Sequence, residues 1–133
     1  MRTLLDSKAY SQLKRGNDAV AGIVRRSEAV IFSAVVAGEL IYGFRHGKRF
    51  EHNLSELQLF LANAYVSFAP VSFVTAERYS RVAAGLRAKG RPIPTNDIWI
   101  AAHAMETGAE LISFDRHFES VDGLAWLHLS VDR

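Results

Sequence analysis

Short apolar runs alternate with longer segments of helical spacing along almost the whole chain, and few folds accommodate that alternation. Thr3 to Leu5, Ala29 to Phe32, Tyr65 to Phe68, Glu110 to Ser113 and Trp126 to Leu129 are each of strand length; the third run reaches towards Val71 and Ser72 but is broken by Pro70. Between them, Ser7 to Lys14 and Asp18 to Arg26 read as two short helices divided by the turn pair Gly16 and Asn17. Ser33 is placed to cap a helix running to about Phe44, and Phe50 to about Asn63 is amphipathic through Leu54, Leu57 and Leu61. Thr75 is expected to cap a long helix that carries Glu77 in its first turn and stops at Gly90; the prolines within Arg91 to Pro94 exclude helix interior there. Thr95 or Asn96 opens a last helix ending near Gly108, and Asp115 to Phe118 is a turn or short helix. Strands alternating with helices at these intervals predict an α/β fold, a mainly parallel sheet with helices on both faces. No repeat, linker or low-complexity stretch interrupts the pattern, so a single domain over 1–133 is expected.

A chain of 133 residues buries roughly two-thirds of the surface it exposes when unfolded, so no covalent staple is needed. Cysteine is absent, which excludes disulfides, thiolate metal sites and a cysteine nucleophile. The start shows no secretory pattern and no apolar run approaches the ~20 residues that span a bilayer, so a cytoplasmic protein without membrane contact is expected. The formal charge is only +2, but the basic residues cluster locally, at Lys14 and Arg15, Arg25 and Arg26, Arg45 to Arg49, and Arg87, Lys89 and Arg91. Such groups suit either an ordinary solvated surface or a phosphate-attracting rim.

Within this frame the carboxylates stand out. Asp6 follows the first predicted strand and Asp115 the fourth, and parallel α/β domains bind ligands beyond the carboxyl ends of their strands. Asp97 lies in the first turn of a helix, while Glu39 sits among Val36, Ala37, Leu40 and Ile41, where a charge is wasted unless a polar cleft receives it. Each has a plainer use: Asp6 as a helix cap, Asp97 as a partner of the helix dipole, Asp115 as a turn residue. Gathered in one place they repel one another, which implies bound cations or raised pKa values. An oxygen-only set favours Mg²⁺ or Mn²⁺, and the dispersed His46, His52, His103, His117 and His128 supply no close pair for zinc. Two such ions about 4 Å apart can activate water and stabilise charge in phosphodiester hydrolysis.

The order of the motifs is more specific than any one of them. Leu4-Leu5-Asp6-Ser7, then Ser33 followed by Gly38-Glu39-Leu40-Ile41-Tyr42-Gly43, then Thr95-Asn96-Asp97 continuing as Ile98-Trp99-Ile100-Ala101-Ala102, and Ser113-Phe114-Asp115-Arg116-His117-Phe118 together resemble the PIN-domain family. The likeness is to VapC-like toxins of type II toxin–antitoxin pairs. It implies a compact three-layer α/β/α fold, Mg²⁺- or Mn²⁺-dependent endoribonuclease activity, a homodimer, and a cognate antitoxin whose carboxy-terminal segment covers the active site. By the same resemblance Asp6 and Asp97 are the principal metal ligands, and Glu39 binds directly or through water and orients the attacking water. Asp115 completes the cluster, Ser7 and Thr95 supply hydroxyls, and Asn96 shapes the loop.

One position departs from the pattern. The family usually carries asparagine two residues after the first aspartate, and this chain carries Lys8. A lysine turned inward neutralises a carboxylate, weakens metal binding or meets a substrate phosphate; turned outward, it is only the first turn of a helix. The inward case leaves open a catalytically weak or inactive RNA- or protein-binding module. Tyr42, Phe44 and Phe50 are candidate apolar contacts for the antitoxin, with a core role equally open, and Arg87, Lys89 and Arg91 are candidate contacts for RNA or antitoxin.

Overall fold

The computed structural model describes residues 1–130; the last part of the expected single domain, 131–133, lies outside the described residues. Its strands are β1 (Arg2–Leu5), β2 (Ala29–Ser33), β3 (Val66–Ala69), β4 (Glu110–Ser113) and β5 (Trp126–His128). Its helices are α1 (Ser7–Lys14), α2 (Asp18–Arg26), α3 (Ala34–Arg45), α4 (Phe50–Leu61), α5 (Phe73–Lys89) and α6 (Thr95–Thr107), with a 3₁₀ turn at Arg116–Ser120.

All strand pairs are parallel, in the order β3-β2-β1-β4-β5. Parallel strands need crossover connections, here helical, so the central strands are covered and buried along nearly their whole length: Leu4, Leu5, Val30, Phe32, Leu111 and Ile112 are all fully enclosed. This is the expected α/β/α arrangement. Tyr10 of α1 meets Phe32 and Phe60 edge to face, joining α1, β2 and α4 in one aromatic cluster. Tyr79 stacks on Trp99 where α5 packs against α6.

Local chemistry sets the ends of the helices. Ser33 and Asn17 cap α3 and α2 through their side-chain oxygens. Gly90 and Gly108 end α5 and α6 in the left-handed conformation that a side chain would resist. The start of α5 corrects the sequence reading. Ser72 caps it, not Thr75, and Thr75 is the reciprocal third residue whose hydroxyl accepts from the Ser72 amide. The helix thus begins at Phe73 and Glu77 lies beyond its first turn.

The order of strands creates the site. From β1 the chain moves outward through β2 to β3, then returns to the other side of β1 as β4. The crevice beyond the carboxyl ends of β1 and β4 is therefore where the winding reverses, the position at which open α/β sheets accept ligands.

Candidate metal centre

Asp6 leaves the end of β1 with its amide still bonded to the Ile112 carbonyl of β4, which holds its side chain over the crevice. Its Oδ1 accepts from the Ala9 amide at 2.9 Å and so caps α1; its Oδ2 accepts from the Ser113 hydroxyl at the end of β4. Burial pushes this carboxyl up to about 6, against the opposing bonds from Ser113 and Ala9, with the negative charges of Asp97 and Asp115 adding to the rise. Ser113 also accepts from the Asp115 amide at 2.9 Å, so one hydroxyl locks Asp6 to the segment carrying Asp115.

Asp97 occupies the first turn of α6, where the helix dipole favours an anion. Its carboxyl is nevertheless raised, first by burial and then by Asp115, with Glu39 a further contribution; the hydrogen bond and charge of His117 pull the other way. Asp115 caps the 3₁₀ turn through a 2.8 Å bond from the His117 amide. On α3, Glu39 is oriented at both oxygens: Ser7 donates to Oε1 at 2.5 Å and Asn96 donates to Oε2 at 3.0 Å.

These groups face one cavity of about 370 Å³, lined by Asp6, Ser7, Lys8, Glu39, Asp97, Ile100, Phe114, Asp115 and Arg116. The four acids named from the sequence are thus brought together from four different elements. Ser7 and Asn96 join them as positioning groups, while Thr95, at the exposed start of α6, makes no side-chain hydrogen bond among the described residues. Lys8 lines the cavity with its ammonium 5.7 Å from the centre of the Phe114 ring, and it forms no ion pair with an acid among the described residues.

The chemistry of the donor set fits a divalent cation. Each oxygen of a carboxylate carries two lone pairs, so the bonds to Ala9 and Ser113 leave Asp6 able to bind an ion. Asp97 and Asp115 add their negative charge to its surroundings, with His117 the one basic side chain within ion-pair distance of either among the described residues, and such a cluster is relieved by a cation.

Two residues near the acids had not been singled out. His117, counted among dispersed histidines, brings Nδ1 to 3.1 Å from Asp97 Oδ2 and 2.9 Å from Asp115 Oδ1. Its signal was its place two residues after Asp115, where a capped turn returns a side chain towards its cap. Arg116 lines the cavity beside Lys8 and supplies positive charge at its rim.

The other candidates are spread over the surface. Lys89 is engaged with Asp122 at 2.6 Å and the Ser120 carbonyl at 2.8 Å, and Arg87 and Arg91 are exposed; none of the three lines the acidic cavity. Phe44 lines a second cavity, of about 480 Å³, with Tyr10, Lys14, Arg15, Arg49, His52 and Glu56 among its neighbours. The buried Tyr10 hydroxyl there has no hydrogen-bond partner among the described residues. Phe50 instead packs beneath the Arg45 guanidinium at 4.4 Å, and Tyr42 is 67% exposed beside His46. Tyr42 and Phe44 are two residues apart on one helix and so diverge by about 200°. Of the three aromatic residues, Phe44 lines this second cavity and Tyr42 and Phe50 do not.

Residues 4–124 match the PIN domain family. Ribonuclease VapC1 of Haemophilus influenzae (strain R2866) is 28% identical over 101 residues, 75% of this chain and 74% of that protein. The tRNA(fMet)-specific endonuclease VapC of Shigella flexneri is 31% identical over 93 residues, 69% of each chain. Among solved structures, VapBC2 from Rickettsia felis bound to a DNA fragment from their promoter superposes with a TM-score of 0.84 at 24% identity, covering 98% of this chain and 100% of that one. With its acids at the reversal of the sheet and the family match spanning nearly its whole length, this chain belongs to the PIN-domain family, among its VapC-like members.

Proposed function

We propose that this chain is an endoribonuclease dependent on Mg²⁺ or Mn²⁺, the toxin of a type II toxin–antitoxin pair, acting in the cytoplasm as a homodimer. The observation that carries this reading is the convergence of Asp6, Glu39, Asp97 and Asp115 on one cavity, in a family whose relatives here are named ribonucleases. Asp6 and Asp97 are the principal metal ligands, and Asp115 completes the set. A cation bound there supplies Lewis acidity, charge complementary to the scissile phosphate, and a lowered pKa for water.

The protein's own groups do the rest. Glu39, held at both oxygens by Ser7 and Asn96, presents a carboxylate of fixed direction that orients water for in-line attack and receives its proton. Lys8 and Arg116 at the rim attract the polyanion, whose charge makes binding salt-dependent. The family likeness implies a cognate antitoxin that covers this cavity, and the cavity beside Phe44 offers its chain an apolar wall with Lys14, Arg15 and Arg49 around it.

Purified protein freed of any partner should cleave RNA, transfer RNA being the first substrate to try, with Mn²⁺ or Mg²⁺ present and not with chelator. Asp97→Asn and Asp6→Asn should each lower the rate by a factor of about 100 or more, the scale of losing a group that stabilises transition-state charge. Full activity in both variants would overturn the assignment of the site.

A further inference from the structure

The sequence pointed to ligation by oxygen alone, but the fold adds a ring nitrogen. His117 Nδ1, Asp97 and Asp115 each present a ligand atom, and the three atoms lie within 4.8 Å of one another. The nitrogen stands 3.1 Å from one carboxylate and 2.9 Å from the other. Octahedral coordination with bonds of about 2.1 Å puts neighbouring ligand atoms about 3 Å apart. Both spacings match that edge.

The backbone accounts for the placement. Because the His117 amide donates to Asp115 Oδ1, the turn carries the imidazole back towards its own cap and across to α6, where Asp97 is mostly buried. The ring itself is about half exposed, so its nitrogen can exchange a carboxylate partner for an ion without disturbing the core. Among the described residues His117 is the only basic side chain within ion-pair distance of Asp97 or Asp115; Arg116 reaches Glu119 instead.

A neutral imidazole discriminates between cations. Mg²⁺ binds oxygen almost exclusively, whereas Mn²⁺, although it too suits oxygen ligands, accepts an imidazole nitrogen more readily than Mg²⁺ does. We propose that His117 Nδ1, with Asp97 and Asp115, directly ligates a divalent transition ion, so that this centre selects Mn²⁺ over Mg²⁺. The inference rests on the metal-dependent reading above and narrows it to a mixed nitrogen and oxygen site.

Pulsed electron paramagnetic resonance of the chelator-stripped protein reloaded with Mn²⁺ tests it directly. The wild-type spectrum should carry coupling to an imidazole nitrogen, and His117→Ala should lose it. Calorimetric titration should show the Mn²⁺ dissociation constant rising about tenfold or more in His117→Ala, with that for Mg²⁺ changing less than about twofold. Mn²⁺ bound without nitrogen coupling, or both ions weakened alike, would overturn the proposal and leave His117 as a partner of the acids. Should His117→Ala fail to fold, His117→Asn takes its place, because only loss of the coupling in a folded variant assigns the signal to His117 among the five histidines. RNA cleavage by a protein lacking the nitrogen signal would remove this inference and leave the ribonuclease reading standing; failure to bind either ion would remove both.

Discussion

At the scale of the residue, Asp6 shows that two readings treated as rivals in the sequence are compatible in one side chain. Its Oδ1 caps α1 and its Oδ2 faces Ser113, yet both oxygens keep capacity for a cation. The arrangement costs stability when the metal is absent. With its carboxyl raised to about 6, the folded state holds a proton that the unfolded chain releases near 4. The stability associated with the neutral carboxyl is therefore fully present below about pH 4 and is lost as the pH rises through 6. In chelator at pH 7, Asp6→Asn should stabilise the fold by about 1–3 kcal/mol, and denaturant titrations should show the gain closing as the pH falls towards 4. A destabilised variant at pH 7 would mean that the buried charge carries no such penalty. Asp6 was legible because it ends an apolar run. Ser113 and His117 were written in the same quoted motif, but their roles depend on β4 lying beside β1 and on a capped turn, and neither follows from local spacing.

At the scale of the element, local chemistry was readable where it was strong. The bounds expected for α1, α2 and β4 agree with those observed, because Asp6, Asn17 and the Gly108 stop act over only a few residues. The start of α5 was misplaced because Pro70, Val71 and Ser72 follow an edge strand and resemble its continuation, while the capping pair uses Thr75 where glutamate is usual. His103 was equally hidden, as one polar residue in an apolar helix. It is fully buried, its Nε2 donating to the Pro70 carbonyl at 3.1 Å and its Nδ1 accepting from the Ser33 hydroxyl at 2.7 Å. A carbonyl oxygen can only accept, which sets this tautomer. The ring thus ties α6 to the end of β2 and to the connection between β3 and α5. His103→Leu should cost about 1–3 kcal/mol in urea unfolding, the scale of leaving buried polar groups unpaired. A loss under about 0.5 kcal/mol would show that these bonds are replaced by water.

At the scale of the whole molecule, the alternation of strands and helices specified the parallel α/β class but not the order β3-β2-β1-β4-β5, because order depends on where each crossover lands and no local pattern encodes it. That order is what makes the site. It puts the ends of β1 and β4 side by side and lets α3 and α6 add Glu39 and Asp97, so a chain with a formal charge of +2 concentrates four carboxylates in one cavity. Like charges gathered this way oppose the compact state, and a cation that binds only the folded form reverses the effect by mass action. At a concentration of a hundred times its dissociation constant, such an ion contributes about 2.7 kcal/mol. For a domain of this size that corresponds to a rise in Tm of roughly 5–15 °C. Thermal unfolding of chelator-stripped protein with added Mn²⁺ should show this rise, and Asp97→Asn should lose most of it. Sodium chloride at matched ionic strength should reproduce only a small part, because screening acts weakly on half-buried groups whereas coordination needs the converged oxygens. An equal rise with monovalent salt, or an undiminished one in Asp97→Asn, would place the stabilising charge outside this cavity.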